Sequence, residues 1–283
     1  MAYVQSGTGV LKQVMLARPE YVRLQPINVI AQSWVDRGAA IDAAVCLQEH
    51  DALVQAYREN GVAVHLAPTD PALTNQTFAR DFGACVAEGY VLGRFKEPVR
   101  TGETALFEAE LQALGVPCAA RCEEGVFEGG DFWFLDARTL AVGLVARTDA
   151  AGFRSLADPL TRLGYELIPV SCAPSNLHLD MCFNVVADRL AVLCEEALPP
   201  AFLNTLRRRG FRWVPVTQAE VYRHHANLQS LGRDRVLSFA ENTAVNERLR
   251  AFGLTVIELP LREILKMGGG PHCMTFPIRR AAS

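Results

Sequence analysis

The stretch Gly61-Val-Ala-Val-His-Leu-Ala-Pro68 joins a glycine to a short run of β-forming residues, and this combination occurs five times along the chain. The other four begin at Gly115, Gly164, Gly210 and Gly253, so the glycines stand 54, 49, 46 and 43 residues apart. Each follows an amphipathic segment, where a helix typically ends in a left-handed residue before a strand. This regular spacing predicts five related α/β modules.

The segments before the glycines have the apolar periodicity of helices. The predicted helices cover residues 40–60, 103–114, 153–163, 201–209 and 243–252. Apolar runs typical of further strands precede most of them, at 10–16, 89–92, 140–145, 190–193 and 236–239. Such modules bury their strands against one another, and closing them into a ring leaves a polar central channel. An open α/β sheet with similar crossovers is the alternative.

Composition favours one globular domain over residues 1–283. The modules are expected at roughly 1–70, 71–125, 126–174, 175–232 and 233–283. Half of the residues are hydrophobic, and the net charge of −3 predicts no nucleic-acid partner. The N-terminus lacks the pattern of a signal peptide, and no apolar run reaches membrane-spanning length. We therefore expect a cytoplasmic protein with no membrane partner and leave a homo-oligomer open.

Eight cysteines lie along the chain without the spacing of a disulfide scaffold, and we expect reduced thiols. Cys118 and Cys122 resemble half of a zinc site, but the His224-His225 pair is not a convincing second half. No metal is therefore predicted. Cys273 stands apart because three glycines, 268–270, lie just before it. A flexible turn that carries one thiol suits a catalytic nucleophile, whereas a buried structural cysteine is the alternative.

Polar clusters occur at three junctions between modules. They cover residues 75–81, 128–131 and 176–180. On a strand, His178 and Asp180 would share one face, as a general base and an acid that binds a cation. Each cluster alone is also typical of a local ion pair, a tight turn or a structural histidine. Their recurrence once per module is the stronger indication of a shared site.

Residues 19–38 interrupt the first module with two prolines and Asn28. We interpret this segment as a loop that covers the site as a lid. An ordinary surface excursion is the alternative.

Four motifs in this order, FARD (78–81), EGGD (128–131), NLHLD (176–180) and GGGPHCMT (268–275), resemble the signature of the guanidino-group-modifying enzymes. This superfamily includes arginine deiminases, dimethylarginine dimethylaminohydrolases and amidinotransferases. The resemblance implies a five-bladed α/β propeller, with pseudo-fivefold ββαβ modules around a central channel. This fold agrees with the five modules counted from the spacing of the glycines.

The resemblance also implies a role for each matching residue. Cys273 corresponds to the nucleophile, His178 to the general acid and base, and Glu128 to the acid that orients the histidine. Asp81 and Asp180 correspond to the carboxylates that bind the guanidinium group. The residues implied to hold the amino and carboxylate groups of the substrate are Asn75, Arg100 and Arg147. By sequence alone, these two arginines would pass as solvated surface charges.

The implied activity is hydrolysis of the guanidino group of free L-arginine or a close analogue, through a covalent Cys273 intermediate and without a cofactor. EGGD and the paired arginines favour the deiminase pattern, although the chain lacks the helical insertion of arginine deiminases. Dimethylarginine hydrolysis is the next alternative, and transfer of the amidino group to an amine follows it. A propeller that only binds its ligand is the least favoured, because the nucleophile, the base and both carboxylates are present.

Overall fold

The computed structural model describes residues 2–173 and 175–281. Within these ranges the chain forms fifteen strands in five three-stranded sheets. In each sheet the middle strand is antiparallel to one neighbour and parallel to the other. The strands are β1 (Leu11–Ala17), β2 (Ala63–Ala67), β3 (Gly83–Val86), β4 (Gly89–Leu92), β5 (Cys118–Arg121), β6 (Phe132–Phe134), β7 (Thr139–Leu144), β8 (Glu166–Ser171), β9 (Phe183–Ala187), β10 (Leu190–Leu193), β11 (Arg212–Pro215), β12 (Gln229–Gly232), β13 (Arg235–Phe239), β14 (Thr255–Leu259) and β15 (Phe276–Arg280).

A helix connects the two parallel strands of every sheet. The helices are α1 (Val29–Asp36), α2 (Ala43–Glu59), α3 (Glu103–Ala113), α4 (Ala150–Arg162), α5 (Pro200–Arg208), α6 (Gln218–Val221) and α7 (Thr243–Ala251). The five helices predicted from periodicity are confirmed to within three residues at each end. All five glycines that follow them have positive φ, as a left-handed helix terminus requires.

The five sheets form a ring around the strands β3, β6, β9, β12 and β15, which we call the inner strands. Strand β3 contacts β15 and the turn before β6, β9 contacts β6 and β12, and β12 contacts β1 of the first sheet. The chain closes the ring when β15 pairs with β1, so the sheet order is β15-β1-β2. The structure is thus the predicted five-bladed α/β propeller. The expected last module, 233–283, does not correspond to a single sheet, because its final strand, β15, belongs to the first blade.

The segment 19–38 is not wholly a loop, because it contains α1. The side chain of Asn28 accepts hydrogen bonds from the N–H groups of Ile30 and Ala31, at 3.0 and 2.9 Å, and so begins this helix. The prediction of a continuous loop missed this cap. All eight cysteines are free, and no helix among the described residues is long and apolar enough to cross a membrane.

Candidate active site

A short polar segment lies directly before each inner strand, at the same end of the ring. These segments carry one prominent side chain each: Asp81 before β3, Glu128 before β6, His178 and Asp180 before β9, Asn227 before β12 and Cys273 before β15. All of these side chains are buried, with no more than 4% of any of these residues exposed. The fivefold arrangement therefore brings residues distant in sequence to one end of the channel.

The thiol of Cys273 lies between an acid and an amide. Its Sγ atom is 3.3 Å from Asp180 Oδ2 and 3.0 Å from Asn227 Nδ2. The other end of the Asn227 side chain accepts hydrogen bonds from the main-chain N–H groups of Gly270, His272 and Cys273, at 3.0, 3.1 and 3.2 Å. One amide thus holds the turn that carries the thiol and also donates to the sulfur.

Asn227 was absent from the residues predicted by sequence. The sequence analysis considers the adjacent His224-His225 pair only as part of a metal site, and it names no polar cluster for the fifth blade, which begins with β12. The signal that could identify Asn227 is the recurrence of a polar segment before each inner strand. Four of the five inner strands follow a recognised motif, so a fifth polar residue is expected just before β12.

Asp180 is held by a second histidine that the sequence analysis did not single out. His272 Nδ1 lies 2.8 Å from Asp180 Oδ2, and its ring stacks on Trp133 at a centroid distance of 4.5 Å. Burial and the charge of Arg80 lower the pKa of His272 to about 4, so a neutral ring donates this hydrogen bond. Although burial opposes it, the bond from His272 lowers the pKa of Asp180 below its ordinary value. Asp180 is therefore a carboxylate.

His178 is fixed by the predicted orienting acid. Its Nε2 atom lies 2.8 Å from Glu128 Oε2, and its Nδ1 atom lies 3.7 Å from Asp81 Oδ1. Burial opposes protonation, but the charge of Asp81 and the hydrogen bond to Glu128 raise the pKa of His178 to about 10. The ring is therefore an imidazolium at neutral pH, with Nδ1 directed to the site.

The glycines of EGGD are required by close approach. A Cβ atom on Gly130 would lie 2.7 Å from the His178 ring, within the distance that real Cβ atoms avoid. Asp131 then fixes the next turn, because its Oδ1 accepts from the Leu179 N–H at 2.7 Å. The motif is a platform for the histidine rather than only a tight turn.

Arg100 lies inside the site instead of on the surface. Its Nη1 atom is 2.5 Å from Asp81 Oδ2, and Nε and Nη2 are 3.0 and 2.8 Å from the carboxylate of Glu103. Nη2 also donates to the carbonyl oxygen of Phe78 at 3.1 Å. Each nitrogen of this guanidinium has a partner, so its predicted role in binding a substrate carboxylate requires an exchange of these bonds.

The other predicted recognition residues contact the segment 19–38. Arg147 Nη2 donates to the carbonyl oxygen of Ile27, and its Nη1 lies 3.4 Å from Glu128 Oε1. Asn75 Nδ2 donates to the side chain of Gln25 at 2.6 Å. Asn28 Nδ2 donates to the carbonyl oxygen of Met267 at 2.8 Å, directly before the glycine-rich turn. The segment thus covers this end of the channel.

Two carboxyl oxygens in the site have no hydrogen-bond partner among the residues that the structure describes. They are Oδ1 of Asp81 and Oδ1 of Asp180, and Nδ1 of His178 is also unpartnered. Buried polar groups are normally satisfied, so such atoms indicate a place for a ligand. Two free carboxylate oxygens beside a thiol suit a planar cation that donates N–H groups to both sides.

Asp81, Glu128 and His178 also have ligand atoms within 4.8 Å of one another, a grouping that could hold a metal ion. One nitrogen and two oxygens form a donor set that zinc accepts. A metal here would have to compete with the bond between Glu128 and His178 and with that between Arg100 and Asp81.

A family model described as N,N dimethylarginine dimethylhydrolase, eukaryotic, matches residues 18–280 of the chain. The chain belongs to this family. It is 30% identical to the uncharacterized protein YkgA of Bacillus subtilis, over 96% of this chain and 93% of that one. It is 26% identical to the arginine deiminase of Listeria monocytogenes, over 75% of this chain and 62% of that enzyme.

Solved structures support the same fold. The N-terminal domain of ArgZ, a cyanobacterial arginine dihydrolase, superposes with a TM-score of 0.84 at 21% identity, covering 95% of this chain and 97% of that one. A dimethylarginine dimethylaminohydrolase from Pseudomonas aeruginosa, with citrulline bound, gives a TM-score of 0.80 at 23% identity, covering 94% and 99%. The predicted superfamily and the predicted enzyme class, hydrolases of linear amidines, are confirmed.

The protonation state of Cys273 gives a first testable expectation. Burial and the charges of Asp180 and Asp81 raise the pKa of this thiol well above its ordinary value of 9.0. The free protein therefore carries a thiol at neutral pH, and a bound cation, which offsets both carboxylates, should lower the pKa and produce the thiolate. Stopped-flow ultraviolet absorbance after mixing with methylguanidinium measures the thiolate as it forms.

The matched control is Cys273→Ser, which keeps the other seven thiols. The expected signal is the difference between the two proteins, absent before mixing and present after it. A thiolate signal from Cys273 already present in the free protein near neutral pH would contradict this assignment.

Proposed function

We propose that this protein hydrolyses the guanidino group of free L-arginine or a close analogue, releasing a ureido product (citrulline from arginine) and ammonia or an amine. The observation that carries the proposal is the pair of carboxyl oxygens on Asp81 and Asp180 that have no partner among the described residues, near a buried thiol. The thiol lies 3.3 Å from Asp180, and the charge of Asp81 also acts on it. The guanidinium ion has N–H donors in one plane, and charge-assisted hydrogen bonds to both carboxylates would fix that plane against the sulfur.

The first half of the reaction transfers the amidino group to the enzyme. The bound cation lowers the pKa of the Cys273 thiol, which releases its proton to solvent, and the resulting thiolate attacks the central carbon and forms a carbon–sulfur bond. The imidazolium of His178 then gives its Nδ1 proton to the departing nitrogen, and the carbon–nitrogen bond breaks. A covalent amidino-thioether on Cys273 and a neutral His178 remain, and ammonia or an amine leaves.

The second half releases the product. Neutral His178 takes a proton from a water molecule, whose oxygen attacks the same carbon. The carbon–sulfur bond breaks, and the proton left on the ureido group passes to the departing thiolate. This restores the thiol of the free protein, and the neutral ureido product departs. Glu128 keeps the ring in place through both halves, since its carboxylate holds Nε2 and leaves Nδ1 for proton transfer. No organic cofactor takes part in these steps.

Asn227 supports the nucleophile as a positioning residue. Its carbonyl oxygen fixes the turn of Cys273 by three hydrogen bonds, and its amide donates to the sulfur. The donated bond favours the thiolate form, which the two neighbouring carboxylates disfavour. Arg100 supports Asp81 in the same way, because its bonds direct the free Oδ1 of Asp81 to the site.

Recognition of the substrate's amino and carboxylate groups is assigned to Asn75, Arg100 and Arg147. Arg147 is held by one main-chain carbonyl and two acidic side chains, of which Glu97 is partly exposed. A substrate carboxylate would replace the carbonyl of Ile27 as its partner. The segment around Asn28 would move away to admit the substrate, and this is the role proposed for it as a lid.

Hydrolysis of N,N-dimethylarginine is the second candidate. The family model that spans residues 18–280 carries the name of that reaction, whereas EGGD and the paired arginines favour arginine. Both reactions use the same thiol, histidine and carboxylates. They differ in whether ammonia or dimethylamine leaves.

The deciding experiment incubates the protein separately with arginine, N,N-dimethylarginine and agmatine, and identifies the products by mass. The proposal expects citrulline from arginine as the fastest reaction. Cys273→Ser should retain the fold by circular dichroism and lose turnover, because a hydroxyl ionises far less readily than a thiol. Turnover by the serine variant would exclude the covalent mechanism. Amidino transfer to an added amine, without ureido product, would exclude hydrolysis.

Removal of the Arg147 guanidinium tests carboxylate recognition. Arg147→Ala should raise KM for arginine by roughly tenfold or more, the loss expected for one charge-assisted hydrogen bond. The KM for agmatine, which lacks the carboxylate, should change much less. Steady-state kinetics with both substrates give the comparison. Equal losses for the two would mean that Arg147 acts on the site in another way, for example through Glu128.

Replacement of Asn227 tests the positioning role. Asn227→Ala should lower kcat by about 10²-fold, comparable to loss of one preorganised donor, and change KM little. It should also raise the pH at which Cys273 ionises. Asn246→Ala is the matched control, since Asn246 is equally buried but bonds to Ser238 and Phe239 away from the site. A similar fall in kcat for both variants would reduce Asn227 to a purely structural residue.

Loss of the Asn28 cap tests the lid. Asn28→Ala should destabilise the start of α1 by about 1 kcal/mol, which makes opening about fivefold more frequent. Cys273 should then be alkylated correspondingly faster by iodoacetamide, as measured by mass spectrometry of the peptide that contains it. Asp42→Ala is the control, because it removes the equivalent cap from α2. An unchanged rate for Asn28→Ala would separate this segment from access to the thiol.

A further inference from the structure

A small cavity lies beside the candidate active site, and His272, which bonds to Asp180, is one of the residues that line it. It has a volume of about 30 Å³ and is lined by residues that lie further along the inner strands, among them Asn184 and Arg280. A larger cavity of about 340 Å³ shares Gly7, Phe134 and Val185 with it and lies towards the opposite end. The small cavity is therefore approached from the end of the ring remote from the lid segment.

Two arginine side chains line this cavity without a carboxylate partner. Arg80 and Arg280 are 8% and 6% exposed, and no ion pair within 4.0 Å involves either of them in the part of the chain that the structure describes. Arg280 donates to the carbonyl oxygens of Gly9 and Ser230, at 2.7 and 2.8 Å. These neutral acceptors satisfy its N–H groups but do not compensate its charge.

The Arg80 guanidinium is held still less completely. Nη2 reaches the side chain of Gln229 only at 3.5 Å, and the buried Nε has no partner. The indole N–H of Trp133, which also lines the cavity, lacks a partner as well. Donors with no acceptor thus accumulate on the wall of one small space. The unpartnered acceptor there, Asn184 Oδ1, would be satisfied by a water beside an anion.

The electrostatic balance favours a negative occupant. Buried charges are normally paired, and two like charges in one cavity disfavour each other. Burial and the charge of Arg80 accordingly lower the pKa of Arg280 to about 9. Guanidinium groups nevertheless stay protonated in proteins, so both charges remain and attract an anion.

We propose that this cavity binds one small monovalent anion, of which chloride is the representative, between the guanidinium groups of Arg80 and Arg280. The volume is that of roughly two water-sized spheres, which admits a halide and excludes phosphate or a larger oxyanion. The bound anion would stabilise the centre of the ring, because Arg80 lies just before β3 and Arg280 is the last residue of β15.

This anion site adjoins the candidate active site through His272, but its two arginine side chains are not among the groups assigned to the reaction. The main-chain N–H of Arg80 donates to the carbonyl oxygen of Cys273 at 3.0 Å, while its side chain lines the small cavity. The negative charge of Asp180 acts on Arg80 through space, without a hydrogen bond between them. The proposal therefore does not depend on which guanidino compound the protein hydrolyses.

Bromide provides a direct test on the intact protein. Crystals grown without halide and soaked in sodium bromide should show an anomalous peak between the two guanidinium groups. Thermal unfolding in solution should also show a rise in Tm that saturates with sodium chloride, relative to sodium gluconate at equal ionic strength. Absence of an anomalous peak in this cavity would overturn the proposal, whatever the solution result.

A variant ties the solution effect to the cavity. Arg280→Gln should weaken the apparent affinity for chloride by roughly tenfold or more, as expected for loss of a charged donor. Arg279→Gln is the matched control, because it removes the same charge from the neighbouring position on β15, which is outside this cavity. An equal chloride response in both variants would overturn the assignment. If Arg280→Gln does not fold, the bromide soak of the unmodified protein still decides.

Discussion

The site depends on two buried carboxyl groups that are each only partly satisfied. Burial raises the pKa of Asp81, although the charges of His178 and Arg100 oppose this, whereas, despite burial, the hydrogen bond from His272 lowers the pKa of Asp180. A buried charge without full compensation costs several kcal/mol, so the surrounding residues must supply what the free oxygens lack. Asp180 receives a hydrogen bond from His272 and lies next to the amide of Asn227, whereas Asp81 is held by Arg100. In each case one oxygen is bound and the other is left open. That asymmetry creates a receptor for a cation instead of a closed ion pair.

The propeller supplies this arrangement by repetition. Every inner strand begins at the same end of the channel, so the residue just before it is delivered to a common point regardless of its distance in sequence. Cys273 and Asp81 are brought together because β15 and β3 belong to neighbouring blades, and β15 returns to pair with β1. Local turns then refine the placement. Gly130 allows the backbone to approach His178, and Gly268, with a φ of 103°, turns the chain beside Asn28.

Much of this was predictable from sequence because it follows from local chemistry. The glycines that follow the helices are predictable because a left-handed helix terminus favours glycine. Their regular spacing predicts the five modules. The motifs around Asp81, Glu128, His178 and Cys273 were recognised because each combines chemically distinctive residues. Asn227 and His272 were not, since an amide and a second histidine acquire their meaning only from partners across the ring. The helix at 29–36 was missed because two prolines nearby outweighed the cap at Asn28.

The surface interpretation of Arg100 and Arg147 failed for a physical reason that also explains the site. Sequence reasoning treats an isolated arginine as solvated, yet both are almost fully buried. Burial raises the pKa of Asp81 and Glu103, and the charge of Arg100 opposes this rise at both, so the buried cation favours their ionised forms. Arg100 pairs with Asp81 and Arg147 with Glu128, while the charge of Asp180 acts on Arg80. The buried arginines offset part of the negative charge, but one oxygen of each of Asp81 and Asp180 stays open. A cationic substrate can therefore bind to these two oxygens, next to the thiol that attacks it.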